Sequence, residues 1–292
     1  MKESALPLEQ VTLEWIGMRA ARQATAENFP VALRVLPKRA RAQLGHAYAY
    51  ARLVDDVGDR AEGDRVALLE FIENDVKALF GAGRSQSAGP QLPVVRDLQT
   101  IVDECNLPPE PLLDLIEANR VDQVVSAYET FDDLLAYCRL SAAPVGRIVL
   151  HIAGAVTERN VVDSDVVCAA LQVLEHCQDV REDAVAGRVY LPAADLRAAG
   201  VPRTELDARS TSTRLRQVIA EQVDRAAAML GSGRPLVRRL SGWSRLAVAG
   251  YVAGGLATVD ALRRADYEVH ERHVSPTKRG TALRTVRVIM GR

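Results

Sequence analysis

The sequence predicts an all-α protein. Apolar residues recur at three- and four-residue spacing through nearly all of the 292 residues, and no alternating strand pattern flanks an Asn-Gly or Asp-Gly turn. The breaks between these segments are short, so no long linker divides the chain. With 48% apolar residues the chain can bury a substantial core. We therefore expect one helical domain over residues 1–292, with a core at about 20–270 and a basic C-terminal tail at 271–292.

The helical period can be followed from one segment to the next. Turn-forming sequences separate the segments: a Gly/Ser-rich loop at 81–93, NLPPEP at 106–111, AGRVYLP at 186–192 and GSGRP at 231–235. The Gly/Ser-rich loop has neither the length nor the lysine of a phosphate-binding P-loop. The predicted helices are 38–58, 64–80, 91–104, 110–127, 131–141, 145–156, 163–184, 208–230 and 243–267.

Bulk properties exclude several classes of function. A formal charge of -1 and a pI near 6.5 give no support for a nucleic-acid partner. The four cysteines show no metal-binding spacing and are interpreted as reduced core thiols, which suits the cytoplasm. The N-terminus lacks a signal-peptide pattern. The longest apolar run, 246–259, is too short to span a bilayer and predicts a buried core helix.

Two aspartate clusters are the strongest chemical signal. The first lies in YAYARLVDDVGD (48–59), where Asp55 and Asp59 share one helix face about 6 Å apart along the axis. The second lies in QDVRED (178–183), where Asp179 and Asp183 have the same spacing. Facing carboxylate pairs suit a hard divalent cation such as Mg²⁺, which commonly bridges to phosphate oxygens. Each cluster could instead be a solvated acidic face paired with Arg52, Arg60 or Arg181.

Polar residues extend both clusters along their helices and favour the metal interpretation. Tyr48 and Arg52 precede the first cluster, and Gln172 with Glu175 or His176 precedes the second. A polar stripe inside a bundle is costly unless it is satisfied, so it indicates a wet cavity that holds ions. Arg52 could neutralise a diphosphate and Tyr48 could face a cation. ExxH, GxSxG and GxGxxG motifs are absent from the sequence.

These segments resemble the squalene/phytoene synthase family of head-to-head isoprenoid synthases. The similar stretches are collinear with the family and span most of the chain: ENFPVALRVLP (27–37), YAYARLVDDVGD (48–59), YCRLSAAPVGRIVL (137–150), LQVLEHCQDVREDAVAGRVYLP (171–192) and YVAGGLATVDALRRADYEV (251–269). The ENFP opening, Gln178 before the second cluster, and PVGRIVL are most similar to the bacterial hydroxysqualene synthases of the hopanoid pathway.

The resemblance implies an isoprenoid synthase bundle around a central apolar cavity, with three Mg²⁺ ions and a prenyl diphosphate substrate. It implies metal ligands at the two aspartate clusters, where the family usually has asparagine in place of Glu175. It also implies that a further set of residues contacts the diphosphate or lines the cavity. The metal residues are Asp55, Asp56, Asp59, Asp179, Asp183 and, as a departure, Glu175; the others are Tyr48, Arg52, Tyr137, Ala143, Gly146, Gln172, Arg188 and Tyr190.

The implied reaction is loss of diphosphate from presqualene diphosphate and capture of the carbocation by water, a carbon–oxygen lyase reaction without NADPH. The alternatives are prenyltransferase reactions: condensation of two farnesyl diphosphates, or phytoene synthesis from geranylgeranyl diphosphate. A non-catalytic helical scaffold is a third alternative. From Arg263 the chain carries eight Lys/Arg against three Asp/Glu. This end could rest peripherally on the inner face of the membrane, near partner enzymes of the squalene pathway, or remain a solvated tail.

Overall fold

The computed structural model describes residues 36–81 and 89–290, which are mainly helical. Within these ranges no strand forms, and an isolated bridge joins Ala127 and Val189. The all-α prediction is therefore confirmed. The ENFP opening and most of the Gly/Ser-rich loop lie outside the described residues. The chain divides into two compact units after Gln123, and the single-domain organisation stays a prediction.

The first unit packs α1, α2 and α5 against one another. Its core includes Leu69, Ile72 and Ile116, all fully buried. The hydroxyl of Tyr50 is also fully buried and donates to the Leu112 carbonyl at 2.9 Å, so no polar atom is left unsatisfied there. The helices of the described part of this unit are α1 Lys38–Arg60, α2 Arg65–Leu79, α3 Pro93–Arg96, α4 Gln99–Cys105 and α5 Glu110–Val121.

The second unit is built around α8, which contacts α7, α11 and α13. Side-chain caps start its main helices: Thr130 forms a capping box with Asp133 before α6, and Thr157 and Ser212 cap α8 and α11. The helices of this unit are α6 Phe131–Ser141, α7 Ala143–Ile152, α8 Glu158–Gln178, α9 Val180–Val185, α10 Ala193–Ala198, α11 Thr213–Gly233, α12 Pro235–Arg239, α13 Gly242–Arg264 and α14 Lys278–Ile289.

Two predicted helices are interrupted in the structure. The segment 91–104 forms α3 and α4, which a tight turn at Asp97 and Leu98 separates. The segment 163–184 is broken at Asp179, where φ is −105° and ψ is 18°. Hydrogen bonds continue on both sides, because Asp179 N donates to Glu175 O and Asp183 N donates to Asp179 O. Aspartate is a weak helix former, so the helix bends at this single residue.

The predicted core helix at 246–259 lies within α13. Val248, Ala249, Val252 and Ala253 are buried, which agrees with the prediction. By length and composition alone α13 could also cross a membrane, and 56% of its most apolar stretch is buried inside the protein.

Of the two alternatives for the C-terminal segment, a free solvated tail does not describe residues 278–289. They form α14, which packs against α13. Val288 is buried, Arg284 Nε donates to Asp260 at 2.9 Å, and Arg245 donates to the Ile289 carbonyl at 3.0 Å. The buried Val288, together with these two arginine contacts, holds the segment on the protein.

A buried carboxylate fixes the segment that follows α13. Glu268 accepts hydrogen bonds from the Thr211 hydroxyl at 2.7 Å, from the backbone N–H groups of Thr211 and His270, and from Arg216 at 2.6 Å. Burial alone would raise the pKa of Glu268, but these bonds prevail, chiefly those of Thr211, and lower it to about 2.

We expect Glu268 to stabilise the folded protein in a pH-dependent way. Its folded pKa lies below the unfolded value of about 4.3, so its contribution is present above that value and is lost as the pH falls toward 2. At about 1.4 kcal/mol per pKa unit the loss is on the order of 3 kcal/mol. Urea denaturation from pH 6 to pH 3 should show a shallower acid loss for Glu268→Gln than for the wild type. The exposed neighbour Glu271 supplies the control Glu271→Gln, and parallel curves for wild type and Glu268→Gln would contradict this role.

Candidate functional site

The first aspartate cluster lies at the C-terminal end of α1. Asp55 and Asp59 are exposed, and Asp55 Oδ1 accepts a hydrogen bond from Asn119 Nδ2 of α5 at 3.2 Å. The same Asn119 amide donates to the Leu115 carbonyl at 3.1 Å, so its orientation is fixed. Gln123 Nε2 donates to the Gly58 carbonyl at 3.0 Å and joins the end of α1 to α5. The Asp55 carboxylate is thus held from one side and open to water on the other.

Asp56, the third predicted ligand of this cluster, has different surroundings. Its side chain is 5% exposed, and Oδ1 lies 3.2 Å from Arg60 Nη1 and 3.8 Å from Arg52 Nε. These arginines precede and follow it by four residues, so all three share one helix face. Asp56 therefore forms ion pairs with Arg52 and Arg60 in this structure, whereas Asp55 and Asp59 are exposed to solvent. Tyr48 is 46% exposed on the same helix.

Asp55 has an unusually high affinity for protons. One side of the Asp55 side chain remains accessible to water, but burial of the rest by surrounding protein atoms disfavours the charged form. This burial raises the pKa of Asp55 to about 6. Asp59 and Asp56 raise it further by repulsion, against the Asn119 hydrogen bond and the charge of Arg52. The raised pKa therefore reflects burial first and the two neighbouring aspartates second.

The second cluster lies at the bend between α8 and α9. Burial, and then the negative charges of Glu175, Glu182 and Asp183, raise the pKa of Asp179 to about 6. The opposing influence is His273, whose Nδ1 lies 3.5 Å from Asp179 Oδ1. Both clusters thus carry more negative charge than their neighbours balance, which favours binding of a cation.

A cavity of about 400 Å³ opens beside Asp179 within the second unit. Its apolar wall includes Leu171, Leu174, Gly250 and Gly254, and a Cβ at either glycine would meet no atom within 4 Å. Glu175, Gln178, Asp179, His273 and Tyr251 also line it. The lining therefore combines carboxylates with apolar surface, which suits a ligand with a charged head and a hydrocarbon body.

The structure separates the polar stripe of α8 into two groups. Glu175 is exposed and lines the cavity with Asp179. His176 is buried beside Asp183 and faces a small recess that Arg188 and Tyr190 also line. The turn after α9 brings Arg188 to this place, because its backbone N–H donates to the Asp183 carbonyl at 2.8 Å.

Tyr137, Ala143 and Gly146 were expected to line the prenyl cavity, but they are not among the residues that line the 400 Å³ cavity. Gly146 instead allows α7 to approach α8 closely: a Cβ there would lie 2.5 Å from Ser164 Oγ and 2.6 Å from Cys168 Sγ. Ala143 is buried, and Tyr137 belongs to a buried aromatic group with Tyr128 and Tyr190.

The family assignment follows from residues 22–280, which match the squalene/phytoene synthase family model. The chain belongs to this family. The hydroxysqualene synthase of Sinorhizobium fredii is 32% identical over 265 residues, covering 89% of this chain and 87% of the relative. In Rhodopseudomonas palustris a hydroxysqualene synthase is 34% identical, covering 76% of this chain and 74% of the relative, and a presqualene diphosphate synthase is 30% identical, covering 75% and 78%.

Solved structures of squalene synthases share this fold. The squalene synthase HpnC from Alicyclobacillus acidocaldarius is 38% identical, with a TM-score of 0.77 over 90% of this chain and 97% of the other. A dehydrosqualene synthase, at 23% identity, has a TM-score of 0.81. The isoprenoid synthase fold predicted from the motifs is confirmed.

The carboxylates fit an open site for a hard cation. Among residues 36–81 and 89–290, no group of three or more His, Cys, Asp or Glu side chains is placed to enclose a metal. Mg²⁺ usually keeps several waters and takes one or two carboxylates together with substrate phosphates, so it does not require such a cage. The carboxylates available for that role are Asp55 and Asp59 on α1, Asp179 in the 400 Å³ cavity, and Asp183 in the small recess beside His176.

Several residues at the site were not identified from the sequence. Asn119 follows Leu112, Leu115 and Ile116 on the buried face of α5, and a polar residue in that register was a detectable signal. His273 and Tyr251 reach the cavity through tertiary folding, and no local pattern pointed to them. The pairing of Asp56 was visible in the four-residue spacing of Arg52, Asp56 and Arg60.

Proposed function

We propose that the protein converts presqualene diphosphate to hydroxysqualene and diphosphate. The observation that carries the proposal is the cavity lined by both Asp179 and apolar residues, because a prenyl diphosphate needs a metal-binding carboxylate for its head and apolar surface for its hydrocarbon. The family assignment and the two hydroxysqualene synthases at 32% and 34% identity support this step. The reaction breaks the carbon–oxygen bond to diphosphate, forms a carbon–oxygen bond to water, and releases one proton from that water.

The residues have separable tasks in this proposal. Asp55, Asp59, Asp179 and Asp183 would hold Mg²⁺, which when bound would stabilise the departing diphosphate. Arg52 and Arg188 would add charge-assisted hydrogen bonds to the same group. Leu171 and Leu174 would keep bulk water from the carbocation until one water captures it, Gly250 and Gly254 would leave room for the hydrocarbon, and Tyr251 would offer the cation an aromatic face.

A second candidate is condensation of two farnesyl diphosphates to presqualene diphosphate, which the 30% identical relative from Rhodopseudomonas palustris favours.

Purified protein with Mg²⁺ and without NADPH should be given presqualene diphosphate or farnesyl diphosphate in separate reactions. Hydroxysqualene from the first, with farnesyl diphosphate unchanged, is expected. Presqualene diphosphate from the second, with the first unchanged, would establish the condensing activity instead. Absence of diphosphate release in both would favour a non-catalytic protein.

A further inference from the structure

A buried histidine connects two residues of the candidate site. His176 lies on α8, its side chain is 8% exposed, and both of its ring nitrogens face polar groups. Nδ1 lies 3.7 Å from Asp183 Oδ2, and Nε2 lies 3.3 Å from the amide nitrogen of Gln172. Asp183 and Gln172 were both expected to act at the diphosphate end, so this ring bridges them.

Aromatic packing fixes the plane of the His176 ring. Tyr190 stacks on it with a centroid distance of 3.8 Å and an interplanar angle of 14°, and Tyr137 lies at 6.5 Å. Held in this way, the ring cannot swing away from either polar neighbour. The stacked ring therefore keeps its two nitrogens directed toward Asp183 and Gln172.

One tautomer satisfies both contacts without a charge on the ring. With hydrogen on Nδ1 the ring donates toward Asp183, and its bare Nε2 accepts from the Gln172 amide. The distance of 3.7 Å to Asp183 is longer than a hydrogen bond, so Nδ1 would engage Oδ2 only after the two groups move closer together. Engaging Oδ2 in this way leaves Oδ1 of Asp183 for another partner.

We propose that His176 is a positioning residue, which orients Asp183 toward a divalent cation and Gln172 toward the diphosphate. The inference rests on the proposed metal and diphosphate binding. Outer residues of this kind commonly change metal affinity by about 10- to 100-fold when they are replaced. His176 would act through Asp183 and Gln172 and would not itself contact the substrate.

Direct binding of Mn²⁺ tests the proposal without catalysis. Free Mn²⁺ would be measured by electron paramagnetic resonance in the presence of inorganic pyrophosphate, with circular dichroism to check folding. His176→Phe keeps the stacked ring and removes both nitrogens, so we expect affinity to fall about 10- to 100-fold. The chain offers a matched control, because His46 Nδ1 also lies 3.7 Å from Asp97 Oδ2 in the first unit. His46→Phe should bind Mn²⁺ as the wild type does.

Two further variants, each of which replaces one ring nitrogen of His176, separate the positioning of Asp183 and Gln172 from the packing of the ring. An asparagine amide can take the place of Nδ1 and a glutamine amide that of Nε2, so His176→Asn should bind Mn²⁺ more tightly than His176→Gln. This comparison also decides the matter if His176→Phe fails to fold. Wild-type affinity in His176→Phe, or equal affinities for the Asn and Gln variants, would overturn the proposal. No Mn²⁺ binding by the wild type would overturn the metal part of the proposed function as well, and so identifies which of the two fails.

Discussion

Replacing Asp179 with asparagine is expected to lower turnover of the prenyl diphosphate by about 10²- to 10³-fold, since one electrostatic contact to the reacting group is removed. The substitution keeps the size of the side chain and removes its charge. Asp179 lines the cavity, and the neighbouring carboxylates Glu175, Glu182 and Asp183 raise its pKa in addition to burial. Removing one negative charge from this group should therefore weaken cation binding without destabilising the fold.

The control for this variant is Glu182→Gln. Glu182 is exposed on α9 three residues away and is not among the residues that line the cavity. Glu182→Gln removes the same charge as Asp179→Asn, so a general change of electrostatic potential would affect both variants alike. Steady-state release of diphosphate would be measured for each protein over a range of Mg²⁺ concentrations. Equal activity of the two variants would contradict a ligand role for Asp179.

Replacing Gly58 with alanine is expected to destabilise the protein by about 1–3 kcal/mol, as is common when a methyl group is forced into a packed site. A Cβ at Gly58 would lie 2.0 Å from Asn119 Oδ1 and 2.8 Å from its Cγ. Asn119 would have to move, and its hydrogen bond to Asp55 would be lost. We therefore expect a loss of activity together with the loss of stability.

Replacing Gly45, in the same helix, with alanine is expected to have the opposite effect on stability. A Cβ at Gly45 would meet no atom within 4 Å, so Gly45→Ala should stabilise the helix by about 0.5–1 kcal/mol. Urea denaturation would give both values. Combining Gly58→Ala with Asn119→Ala should remove most of the steric cost, because the clashing amide is absent. A Gly58→Ala variant as stable as Gly45→Ala would contradict the close packing of α1 and α5.

The helices could be predicted because their periodicity is local, and α6 begins and ends where the sequence predicted. The interruption of α8 at Asp179 could not, since a bend at one residue hardly changes the pattern of apolar residues. Gly146 shows a second limit. A small residue can make room for a ligand or for a neighbouring helix, and only the position of Ser164 and Cys168 decides between the two.

The candidate site could be predicted in part. Periodicity places Asp55 and Asp59 on one face of α1, and the structure presents both to solvent. Asp56 was added to them only by the resemblance to the family, and a residue one position away on a helix points in a different direction. The contact of His273 with Asp179 joins residues 94 positions apart, and its prediction would require knowledge of the tertiary fold.

The central claim is that water captures the carbocation formed from presqualene diphosphate. The most direct test is to incubate the protein with Mg²⁺ and presqualene diphosphate in ¹⁸O-labelled water and to identify the product by mass spectrometry. The account predicts hydroxysqualene in which the hydroxyl oxygen carries the label. Hydroxysqualene without the label, or presqualene diphosphate recovered unchanged, would contradict it.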